Sequence, residues 1–158
     1  MADTFDYGRA MEEIDQRVAV LRRYRSMLDL QKEKLSSYLH VVDSREAALA
    51  QGTFDDFETY TVLEQEAVKG IQTVQRCLAP LKLLYLELHP EGSPDIASME
   101  DRLERLRQEV LRRNEESRMA LKTYAASLKL EISKLRSTTV PQSLFASTRS
   151  GSLIDVAT

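Results

Sequence analysis

The chain contains no tryptophan, one cysteine, five glycines and four prolines, and aromatic residues make up only 6% of it. A lone Cys77 excludes an intramolecular disulfide and fits a reducing, intracellular compartment. Few backbone breakers leave room for long helices, and few aromatics point to a slender core. Long hydrophobic runs are missing as well. The longest candidate, Leu78–Leu88, is interrupted by Pro80, Lys82 and Glu87, far from the roughly 20 apolar residues that cross a bilayer. Met1–Arg9 already carries Asp3, Asp6 and Arg9 and does not read as a signal peptide. A soluble, cytoplasmic protein without membrane insertion is expected.

Excess positive charge is absent too. A net charge of -3 argues against nucleic acid as the main partner. The signs are unevenly spread: Asp43–Glu66 has seven acidic residues and one basic, Glu100–Arg136 ten basic and seven acidic. Complementary fields on neighbouring helices account for that division.

What the chain does have is 42% hydrophobic and 30% charged residues over 158 positions, the mixture of one helical domain. Ile14, Leu21, Leu28, Leu35, Val42 and Leu49 recur every seven residues, which presents one side of a long helix to a neighbour. Met11, Val18 and Leu39 fill a companion position, but Arg25, Lys32 and Glu46 interrupt it, as in a bundle seam rather than a two-stranded zipper. This helix is predicted over about 6–51, with Gly52 closing it and Thr53 capping the next.

The second predicted helix, 53–89, carries Tyr60, Ala67, Val74, Leu81 and Leu88 in one row. Phe57, Ile71, Leu78 and Tyr85 form a second row, broken only at Glu64. Both keep phase across Pro80, so a kink and not a stop is expected there. His89-Pro90-Glu91-Gly92-Ser93-Pro94 is the clearest turn, with Ser93 and Pro94 starting a third helix over 94–136. Its stripe of Ile96, Met99, Leu103, Leu106 and Val110 resumes out of phase as Leu121, Leu128 and Leu135. Short connections make neighbours antiparallel. The predicted fold is all-α, a long antiparallel three-helix bundle over 1–136 with coiled-coil-like packing. A flexible Ser/Thr-rich tail over 137–158 contains the apolar clusters Leu144-Phe145 and Leu153-Ile154-Asp155-Val156.

Catalytic patterns are nearly lacking. His40 and His89 fall in different regions, neither has a Glu three residues before it, and Cys77 has no His within helical reach. Cys77 reads as a thiol at the edge of the core. No Gly-rich phosphate loop occurs. The chain reads as neither an enzyme nor a cofactor or metal carrier. The anomaly is surplus hydrophobicity: Leu83 and Leu86 fall outside the seam of Leu81, Leu84, Tyr85 and Leu88, and leftover apolar surface is what a partner helix would use.

The stretch Arg45-Glu46-Ala47-Ala48-Leu49-Ala50-Gln51-Gly52-Thr53-Phe54-Asp55-Asp56-Phe57 resembles the passage between the first two helices of FlgN-type flagellar export chaperones. Arg113–Leu121 is similar to that family's Asn-containing stretch, and Gly151–Ala157 to its short closing segment. Glu66 stands where the family usually has Lys, and Phe145 with Gly151 replaces an aromatic-glycine step. The resemblance implies a cytosolic chaperone, no enzyme, that binds C-terminal helical segments of hook-filament junction proteins. It would prevent their premature assembly and deliver them to an export-gate component. It places cargo on the end of the third helix, on Leu121, Tyr124, Ala125, Leu128 and Ile132, which read equally as bundle core. A monomer is expected, with a dimer as the variant. The alternative is a structural coiled-coil tether or self-assembling helical subunit without cargo.

Overall fold

The computed structural model describes residues 3–52 and 56–138. Three α-helices account for nearly all of them: α1 is Asp3–Ala50, α2 is Phe57–Leu88 and α3 is Pro94–Thr138. No strand occurs among the described residues, and the fold is an all-α three-helix bundle. The chain divides into two compact units, 1–117 and 118–158.

In the first unit the helices alternate in direction. Tyr24 and Tyr85 stack with ring centroids 4.8 Å apart, and Tyr38 reaches Glu64, so α1 and α2 run antiparallel. Tyr24 bonds Glu100 and Tyr38 bonds Asn114, which makes α3 parallel to α1. Two clusters form the core. One joins Tyr24, Leu28, Tyr85 and Ile96; the other joins Leu35, Tyr38, Val42, Ile71 and Val110. Leu103 packs against both.

The seven-residue ladder occupies the core where a helix faces it. Leu28, Leu35 and Val42 are 2% exposed or less, and fully burying each such side chain contributes roughly 2 kcal/mol. Its first rung differs: Ile14 is exposed. The α2–α3 connection meets α1 at Arg17, where His89 Nε2 lies 2.9 Å from the Arg17 carbonyl and the Arg17 guanidinium pairs with Glu91. The 48 residues of α1 outrun the 32 of α2.

The expected companion row is corrected. Met11, Val18, Arg25, Lys32 and Glu46 are exposed, and of that row only Leu39 is partly buried. The buried row stands four residues, not three, before Leu28, Leu35, Val42 and Leu49: Tyr24, Gln31, Tyr38 and Arg45, all below 5% exposure. Tyrosine rings supply apolar area while their hydroxyls find partners, so α1 turns this edge inward.

Helix ends follow local chemistry. Gly52 and Gly92 adopt φ of 72° and 69°, left-handed values that glycine takes without a steric penalty. Asp56 precedes the first residue of α2; Thr53, the expected cap, lies outside the described residues. Pro80 sits inside α2, which continues through it. Its ring cannot donate to the Arg76 carbonyl, and Pro80 lies on the exposed side. Of the expected tail, Ser137 and Thr138 belong to α3, and 139–158, with Leu144, Phe145 and the Leu153–Val156 cluster, lie outside the described residues.

Candidate partner-binding surfaces

The end of α3, within the second unit, carries the clearest exposed apolar face. Leu121 is partly buried, Tyr124, Leu128 and Ile132 are 41, 39 and 50% exposed, and Ala125 is exposed. At about 100° per residue, these five and Leu135 fall within an arc of roughly 100°. The expected residues share one face, and all of them but the partly buried Leu121 are exposed. Four bases border one edge of that face, since Arg118, Lys122, Lys129 and Arg136 lie within about 40° of one another on the same helical count. All four are exposed. Glu131 is the one acid between 118 and 138. A face of this kind holds the apolar stripe of an amphipathic helix and attracts acids along one flank.

Leu83 and Leu86 belong to the first unit. They are 71 and 50% exposed, one turn apart on the outside of α2, while Tyr85 between them is 3% exposed in the core. The turn of helix after Pro80 does not bring them inward. Leu84, expected in the seam, is 40% exposed. It lines a groove of about 480 Å³ between α1 and α2, together with Val20, Met27, Pro80 and Leu81. Cys77 borders this groove and is exposed, not at the core edge as expected.

Polar chemistry inside the first unit is structural in arrangement. The Tyr38 hydroxyl donates to Glu64 at 3.0 Å and accepts from Asn114 Nδ2 at 2.7 Å, while Arg45 bonds both Glu64 and Ser117. Glu64, which interrupts a seam of α2, is thus the acceptor that holds a buried arginine, and all three helices contribute. Further along, the Tyr24 hydroxyl donates to Glu100 at 2.5 Å, and Lys82 reaches the same carboxylate at 3.0 Å. Burial pushes the Tyr24, Tyr38 and Tyr85 hydroxyls to higher pKa. Burial opposes ionisation of Glu100, yet the Tyr24 and Lys82 hydrogen bonds outweigh it and hold that carboxyl below its ordinary value. Three bases of α3 in the first unit join ion pairs: Arg107 with Glu104, Arg112 with Glu109 and Glu116, and Arg113 with Asp43 and Glu46. Among the described residues, no group of three or more His, Cys, Asp or Glu side chains is placed to hold a metal ion, and no helix is long and apolar enough to cross a membrane.

One exposed face was missed in the sequence. Tyr7, Met11, Ile14 and Val18 lie along the N-terminal end of α1 at 75, 64, 56 and 40% exposure. The signal was the mismatch in helix length, which leaves this end beyond the reach of α2.

A protein of Treponema pallidum (strain Nichols), described as uncharacterized, is 28% identical over 146 residues, spanning 92% of this chain and 94% of that protein. The likeness runs nearly end to end. No protein-family model matches the chain, and no solved structure matches it.

Proposed function

We propose that this protein is a cytoplasmic binding protein without catalytic activity, which captures an amphipathic helical segment of another protein on the end of α3. The observation that carries this reading is the exposed face of Leu121, Tyr124, Ala125, Leu128 and Ile132 with its border of bases. Chemistry elsewhere in the chain is sparse, and the titratable clusters of the first unit are engaged in joining helices. The resemblance to FlgN-type export chaperones gives the reading its specific form. The captured segment is then the C-terminal helix of a hook-filament junction protein, shielded from premature assembly and released at the export gate. A disordered segment that folds on this face gives up part of its binding energy to ordering, which keeps release possible. Leu83 and Leu86 offer a second exposed apolar contact for a partner helix.

Calorimetric titration of the full chain with synthetic C-terminal segments of junction proteins from the same organism tests this. The expected result is a 1:1 complex, a gain of helicity in the segment, and at least a tenfold loss of affinity on Ile132→Asp with the fold intact. If no junction-protein segment binds, the reading is wrong.

A further inference from the structure

The face missed in the sequence has a match elsewhere on the same chain. Tyr7, Met11, Ile14 and Val18 follow one another at intervals of four, three and four residues, the spacing of a coiled-coil seam. Leu121, Ala125, Leu128, Ile132 and Leu135 repeat the same alternation on α3. The two stripes extend over about 17 and 21 Å of helix at 1.5 Å per residue.

Their charges oppose. Asp15 flanks the α1 stripe, and Asp3, Asp6, Glu12 and Glu13 add negative charge to the same stretch of sequence. Of the two bases there, Arg17 is engaged by Glu91, which leaves Arg9. Arg118, Lys122, Lys129 and Arg136 border the α3 stripe, and Glu131 is the one acid in that stretch. Pairing α1 with α1 of another copy sets acids against acids, and pairing α3 with α3 sets bases against bases. Only α1 against α3 joins opposite signs.

We propose that the N-terminal face of α1 docks on the C-terminal face of α3 of a second copy of this chain, forming a two-helix coiled coil between copies. The contact goes beyond cargo capture because it depends on the end of α1, which the chaperone reading leaves unused. Because both use the α3 face, a bound cargo helix displaces the second copy.

Sedimentation velocity of the full chain, with the variants Ile14→Asp and Leu128→Asp alone and mixed, tests the pairing. The wild type should rise above 18.0 kDa with concentration and return towards it at high salt. Each variant alone should remain monomeric, and the equimolar mixture should form a 1:1 complex, since one intact face of each kind survives. A charge exchange checks the same contact without removing apolar area. Lys122→Glu/Lys129→Glu should lose self-association, and the same chain with Asp15→Lys added should regain part of it. A wild type that stays monomeric at millimolar concentration, a single variant that still self-associates, or a mixture that stays monomeric overturns the proposal. Ile14→Asp should still bind a junction-protein segment, which separates failure of this contact from failure of cargo binding.

Discussion

Arg45 of α1 and Glu64 of α2 form an ion pair inside the bundle, with side chains 3 and 16% exposed. Removing one member of such a pair strands the other. Arg45→Ala should therefore destabilise the protein by about 3 kcal/mol, whereas Arg45→Met with Glu64→Leu, which removes both charges, should cost far less. Urea unfolding of the single and double variants measures the difference. A double variant as unstable as the single one would contradict this account.

Tyr24 separates packing from hydrogen bonding. Tyr24→Phe keeps the ring against Tyr85 and loses the bond to Glu100, at a cost of about 1–2 kcal/mol. Tyr24→Ala also empties a site that is 1% exposed, and about 4 kcal/mol is expected. Thermal unfolding of the two variants should rank them in that order.

Glu100 gives stability a dependence on acid. Its carboxyl has a lower pKa in the folded chain than the ordinary 4.5, so the folded state favours the ionised form. The contribution is present above pH 4.5 and is lost as pH falls through the lower folded value. Glu100→Gln should be less stable than the wild type at pH 7, and the gap should narrow on acidification below pH 4.5. A gap that stays constant with pH would rule out this linkage.

Equivalent rungs of the α1 ladder should differ in weight. Leu28→Ala, at a position 2% exposed, should cost about 3 kcal/mol. Ile14→Ala, at 56% exposure, should change stability by no more than about 0.5 kcal/mol. Chemical denaturation at low protein concentration, where copies are apart, reads both.

These contrasts show what the residues announce by themselves. Leu28, Leu35 and Val42 declared the core because apolar side chains at a fixed phase have one stable place to go. Gly52 and the Gly92-Ser93-Pro94 turn marked helix ends because their backbone preferences are local. Gln31 and Arg45 did not declare their burial. Arg45 is tolerated inside only through Glu64 and Ser117, 19 and 72 residues away, and hydropathy counts it as surface. The α3 face was legible as a stripe, but its exposure was not. Leu128 and Leu28 sit in the same kind of pattern, and what decides between core and surface is whether other apolar groups cover the side chain. The exposed end of α1 was hidden for the same reason.

The buried row of Tyr24, Gln31, Tyr38 and Arg45 also settles the register of the bundle. A purely apolar ladder is degenerate: sliding α1 by seven residues replaces Leu28 with Leu35 and Leu35 with Val42, and the core is nearly as well filled. The polar row breaks that degeneracy. After the same slide Gln31 would face Glu100 in place of Tyr24, Arg45 would leave Ser117, and Tyr38 would move to the site of Gln31, away from Glu64 and Asn114. Each misaligned arrangement leaves a buried charge or hydroxyl without its acceptor, so one alignment among several of similar hydrophobicity is selected.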